Sequence, residues 1–142
     1  MTTIACKDGV IAYDSRVTSG TTITDDEYNK HTHHGGVDFF LTGCVADFEK
    51  FYAAYDGEPI ESDIRVCGFA VVCGDLWQVA YNQDDKFWKI KLSYEKVYAA
   101  GSGASHALTA MDMGASAADA VRMAIKRDNG SGGKVNEYKV GV

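Results

Sequence analysis

The stretch Thr2-Thr3-Ile4-Ala5-Cys6-Lys7-Asp8-Gly9-Val10-Ile11-Ala12-Tyr13-Asp14-Ser15-Arg16-Val17-Thr18-Ser19-Gly20 follows Met1 directly. Two short apolar-rich runs, residues 2–7 and 10–13, flank Asp8-Gly9, a dipeptide suited to a tight two-residue hairpin turn. The chain therefore opens as the first strand of a sheet. Removal of Met1 would leave a threonine at the start of that strand, carrying a hydroxyl and a free α-amine on one residue. An alkyl hydroxyl needs a base to become a nucleophile, and an α-amine with an ordinary pKa of roughly 8 can serve as one. A Met-Thr start is common among unrelated proteins, so the supporting residues must come from the rest of the chain.

Working outward, residues 17–26 are rich in Thr, Ser and Gly and read as a loop. Residues 28–34 and 37–42 read as a second hairpin around Gly35-Gly36. From Val45 the period changes, and Phe48, Phe51, Tyr52 and Tyr55 fall on one face of a helix that ends near Asp56-Gly57. Residues 58–63, with the only proline, form a loop. Strands are predicted over residues 64–72, 76–81, 87–92 and 96–100. Two helices follow, one with Ala104, Ala107, Leu108 and Met111 on a face, the other with Ala117, Val121, Ala124 and Ile125. Ser116 and Asp119 resemble a capping box between them. A Gly-rich segment, residues 129–133, leads into a last strand over residues 135–140. Strands, helix, strands, helix pair, strand is the order of an α+β protein with mainly antiparallel sheets and helices grouped in layers.

The length of 142 residues fits one domain, residues 1–142, able to bury about two-thirds of its unfolded surface. Net charge is -6 with no Lys/Arg cluster, which argues against nucleic acid or an anionic membrane as the partner. No apolar run approaches the roughly 18 residues of a membrane span. Cys6, Cys44, Cys67 and Cys73 form no CxxC pair and sit in apolar runs, so buried free thiols in a reducing cytoplasm are expected.

Four separated segments then point the same way: Thr2-Thr3-Ile4, Asp14-Ser15-Arg16-Val17-Thr18-Ser19-Gly20, Gly101-Ser102-Gly103, and Asp128-Asn129-Gly130-Ser131-Gly132-Gly133. In this order the chain resembles proteasome β-type subunits and the bacterial two-component protease subunit, both N-terminal nucleophile hydrolases. The resemblance implies a four-layer αββα sandwich and a threonine endopeptidase that needs no cofactor. It implies that Thr2 is the nucleophile, its freed amine the base, and Asp14 the partner of an active-site lysine. Lys30, sixteen residues after Asp14 and the only lysine in residues 21–47, matches that lysine. Its charge would favour the alkoxide and weaken the amine's hold on a proton.

By the same resemblance, Gly43 supplies an oxyanion-stabilising N–H at a helix start, and Ser102, Asp128 and Ser131 orient the terminal amine. Arg16 supports structure beside Asp14, and Gly132-Gly133 serve a turn. Thr18 and Val45 would pair with an extended substrate, and Tyr28, Leu41 and Val45 would line an apolar pocket for the side chain before the cut. The implied partners are peptide or unfolded protein and copies of the same chain in a ring; whether an ATP-dependent unfoldase docks is left open.

The chain also departs from the pattern. Its first hairpin is short, and only one helix fits between Gly43 and the strand at Ile64, so one helical layer is reduced and ring size is not carried over. His31, His33 and His34 cluster after Lys30 without a metal-ligand set, placed to meet substrate or a neighbouring subunit. Two other readings stay open: an inactive ring-building or binding relative, and a hydrolase of small amides.

Overall fold

Two-residue turns with both residues at positive φ organise the strands. Asp8-Gly9 (φ 52° and 77°), Gly35-Gly36 (58° and 79°) and Cys73-Gly74 (50° and 80°) are turns of this kind, whose twist matches that of paired strands. In the computed structural model, which describes residues 2–141, they join β1 (Ile4–Lys7) to β2 (Val10–Tyr13), β5 (His31–His34) to β6 (Val37–Gly43), and β7 (Val66–Val72) to β8 (Asp75–Asn82). With β9 (Lys86–Lys91), β10 (Tyr98–Ala100) and β11 (Asn136–Lys139), these form two antiparallel sheets ordered β10-β1-β2-β11 and β5-β6-β7-β8-β9.

Alternation along β1 and β2 fixes which layer lies on which face. Ile4, Cys6, Ile11 and Tyr13 point toward the second sheet, where Phe40, Phe69, Val71 and Leu76 meet them in the inter-sheet core. Ala5 and Ala12 point the other way, and their small size lets α2 (Ala104–Asp112) and α3 (Ala117–Arg127) pack closely through Ala107, Ala118, Ala120 and Val121. On the far face of the second sheet, Phe39, Leu41, Ala70 and Val79 pack against Phe48, Phe51 and Tyr52 of α1 (Phe48–Tyr55). The layers run helix pair, sheet, sheet, single helix: the αββα sandwich with one reduced helical layer. At the end of α1, Lys89 lies over both the helix and the sheet, its ammonium 4.9 Å from the Trp77 ring centroid and 5.8 Å from that of Tyr55, the last residue of the helix.

Three expectations are corrected. Residues 17–26 are not a loop but a ribbon of β3 (Val17–Ser19) and β4 (Thr22–Asp25), turned at Gly20 (φ 60°). Its β-branched Val17, Thr18, Thr22, Ile23 and Thr24 favour strands once one glycine takes the turn. Gly43 does not open a helix: it ends β6, and a 3-10 turn, Val45–Asp47, intervenes before α1. Of the cysteines only Cys6 is buried; Cys44, Cys67 and Cys73 are exposed. Cys44 lies past the end of β6 and Cys73 in a hairpin turn. Cys67 faces inward from β7, but borders an open depression rather than the closed core.

Candidate active site

Thr2 sits just before β1, almost fully buried at 5% exposure. Lys30 lies just before β5 on the other sheet, and its Nζ donates to Thr2 Oγ1 at 2.8 Å and to Asp14 Oδ1 at 2.6 Å. Asp14 follows β2 and is wholly buried, so the pair is an internal ion pair and not a surface one. The remaining capacity of Asp14 is filled by three backbone donors: Thr3 N–H at 3.1 Å, Gly132 N–H at 2.9 Å and Arg16 N–H at 3.3 Å. Burial lowers the Lys30 pKa, and the attraction of Asp14 opposes that shift without cancelling it. A cation with a weakened hold on its proton therefore touches the threonine hydroxyl.

A second arm reaches the Thr2 nitrogen. This nitrogen donates to Ser102 Oγ at 3.2 Å; it is a peptide nitrogen here, and would become an α-amine only if Met1 were removed. Met1 itself lies outside the described residues. Ser102 and Ser131 both donate to Asp128 Oδ2, at 2.6 and 2.7 Å, and Gly130 N–H donates to Oδ1 at 3.2 Å. Burial raises the Asp128 pKa, yet these three donors outweigh it and hold the carboxyl below its usual value. The arm ends on a carboxylate anion.

Local sequence explains why these groups converge. Gly101 takes φ 99° and passes so close to the Thr2 carbonyl that no Cβ fits, which places Ser102 beside the Thr2 nitrogen at the start of α2. Gly132 is a correction: it does more than serve a turn. Its missing Cβ makes room for the Arg16 guanidinium, while its N–H holds Asp14. Arg16 meets Asp26 through two nitrogens, at 2.8 and 3.1 Å, and donates to the Asn129 carbonyl at 3.2 Å, fastening the β3-β4 ribbon to the Asp128–Gly133 loop. Gly133 at φ 74° is the residue that the turn requires.

Beside Thr2 and Lys30 opens a cavity of about 290 Å³, lined by Thr18, Tyr28, Leu41 and Val45 together with Gly43 and Phe48. Sequence reading missed Phe48 and Cys44 in that lining: Cys44 lies between the end of β6 and a 3-10 turn, and Phe48, read only as part of a helix face, follows that turn. A wider depression of about 660 Å³ runs from Gly43 and Ser102 along Cys67, Gln78 and Trp88. The histidines point elsewhere. His31 and His33 both reach Asp38 Oδ1, at 2.8 and 3.1 Å, and His34 reaches Asp56.

No protein-family model matches the chain, and neither does any curated protein sequence. Solved structures do. BPH of Thiobacillus denitrificans superposes with a TM-score of 0.67 at 22% identity, over 96% of this chain and 95% of that one. The same protein in complex with epoxomicin gives 0.67 at 21%, over 99% of each. Eukaryotic HslV from Trypanosoma brucei gives 0.67 at 16%, over 96% and 97%. Over nearly its whole length the chain shares the fold of BPH and HslV, two sheets packed between helical layers.

Proposed function

We propose that the protein is a threonine endopeptidase, active once Met1 is removed. The observation that carries this reading is the contact of the buried Lys30 ammonium with Thr2 Oγ1 at 2.8 Å, backed by the buried Asp14 carboxylate. A buried ion pair costs several kcal/mol in desolvation, so its placement against a hydroxyl is best accounted for by chemistry at that oxygen.

In this mechanism the α-amine takes the proton of Thr2 Oγ1, and the oxygen attacks the peptide carbonyl. Lys30 stabilises the developing oxygen charge and Gly43 N–H receives the tetrahedral oxyanion. The amine then gives its proton to the departing peptide nitrogen, leaving an ester on Thr2. Water attacks the ester with the amine again as base, the acyl C–O bond to Thr2 breaks, and the amine returns the proton to Oγ1 as the acid product leaves. The amine needs a free lone pair, and its link to Ser102, itself committed to Asp128, orients it without consuming that lone pair.

Substrate lies extended along the free edge of β3, since among the described residues β3 pairs with a strand only at β4. The side chain before the cut enters the 290 Å³ cavity, whose Tyr28, Leu41, Val45 and Phe48 favour one large apolar group. The leaving segment follows the depression past Ser102. Copies of the chain assemble as a ring around these sites, as the resemblance implies. Intact mass of the purified protein and turnover of fluorogenic peptides test the reading together. Met1 is expected to be absent, peptides with Leu or Phe before the reporter are cut, and Thr2→Ala abolishes turnover. Retained Met1 in cells would instead select the inactive ring-building reading.

A further inference from the structure

Thr3 has no part in the chemistry just described, yet it is wholly buried and touches both arms of the site. Its amide N–H donates to Asp14 Oδ1 at 3.1 Å, and its Oγ1 lies 2.7 Å from Ser131 Oγ. Gly103 closes over it: a Cβ there would collide with Thr3 Oγ1 and come within 3.3 Å of Asp128 Oδ2. The hydroxyl is thus held beneath the start of α2, beside the carboxylate that terminates the amine arm.

Counting protons fixes the direction of this bond. A serine hydroxyl has one proton to give. Ser131 gives its proton to Asp128, so its oxygen can only accept from Thr3, and Thr3 is the donor. Ser102 likewise gives its proton to Asp128, so it accepts from the Thr2 nitrogen. All hydroxyl protons therefore run toward Asp128, with Thr3 at the outer end of one branch and the Thr2 nitrogen at the outer end of the other.

We infer that Thr3 is a positioning residue that sets the basicity of the Thr2 α-amine through Ser131 and Asp128. The inference rests on the endopeptidase reading for its consequence in turnover, but not for its consequence on the amine. Donation by Thr3 polarises Ser131 and makes it the stronger donor to Asp128, since hydrogen bonds in a chain reinforce one another. Without that donation Asp128 keeps more uncompensated negative charge. A nearby anion stabilises the ammonium, so the amine holds its proton more firmly and is a poorer base at neutral pH.

The test compares Thr3→Val, which keeps shape and removes the hydroxyl, with Thr3→Ser, which keeps the hydroxyl and removes the methyl. In the Met1-processed protein, the pH dependence of α-amine acylation by acetic anhydride, read by mass spectrometry, reports amine basicity without needing turnover. Thr3→Val is expected to move that titration up by roughly half a pH unit or more, and Thr3→Ser to leave it near wild type. On fluorogenic peptides at neutral pH, Thr3→Val is expected to lower kcat about threefold with little change in KM, and Thr3→Ser to restore it. An unmoved titration in a folded Thr3→Val protein overturns the inference, as does a Thr3→Ser protein shifted as far as Thr3→Val. A wild type that turns over no peptide while Thr3→Val still shifts the amine overturns the endopeptidase reading and leaves the role of Thr3 standing.

Discussion

Lys30 and Asp14 are wholly or almost wholly buried, and each has the other as its charge partner. Removing one would strand the other in a low-dielectric interior. Lys30→Ala is therefore expected to lower stability by about 3–5 kcal/mol in urea denaturation, in addition to abolishing turnover. Lys30→Met fills the space but also leaves Asp14 unpaired, so it should recover little of that loss. Asp128 gives a pH signature. Its folded pKa lies below its unfolded one, so the unfolded chain binds the proton more readily as pH falls. The stability that this residue contributes is full above the ordinary carboxyl pKa and is lost as pH falls through the depressed folded value. Asp128→Asn should flatten the acid limb of the stability curve, measured as the thermal midpoint between pH 5 and pH 3. Parallel acid limbs in the two proteins would contradict the assigned hydrogen bonds.

At the scale of elements, α3 begins as its sequence announces. Ser116 Oγ accepts from Asp119 N–H at 3.1 Å, the forward half of a capping box, while the Asp119 carboxylate turns to Arg122 at 2.7 Å and does not complete the return half. Ser116→Ala is expected to cost about 1 kcal/mol by thermal denaturation, and Asp119→Asn much less. Elements such as α3 are legible because cap, periodicity and alanine face agree. The β3-β4 ribbon was not legible, because its strands of three and four residues are mostly exposed, none of them buried, and show no alternation of apolar and polar residues. The convergence of Asp14, Lys30, Ser102, Asp128 and Ser131 could be read only from ordered motifs. No local pattern reveals that residues as far apart as Thr2 and Ser102, or Thr3 and Ser131, touch. The cysteines show the limit in reverse: an apolar run places Cys67 in a strand but does not say whether a second sheet covers that strand.

For the whole molecule, the single helix on the outer face of the second sheet is the chief departure from a fully covered sandwich. At the end of that helix, Lys89 lies over Trp77 of the sheet and Tyr55, the last residue of α1. The stem of such a lysine covers apolar area while its ammonium stays hydrated and is attracted to the ring faces. Lys89→Ala is expected to lower stability by about 0.5–1 kcal/mol, Lys89→Arg to retain most of it, and Lys89→Glu to lose more than the alanine variant. Urea midpoints at several protein concentrations separate this local shield from cover by a neighbouring subunit. If Lys89 is the cover, the loss in Lys89→Ala is the same at every concentration. If another copy of the chain covers Trp77 on assembly, the wild-type midpoint rises with concentration and the difference between the two proteins shrinks, because the neighbour then shields the rings in both.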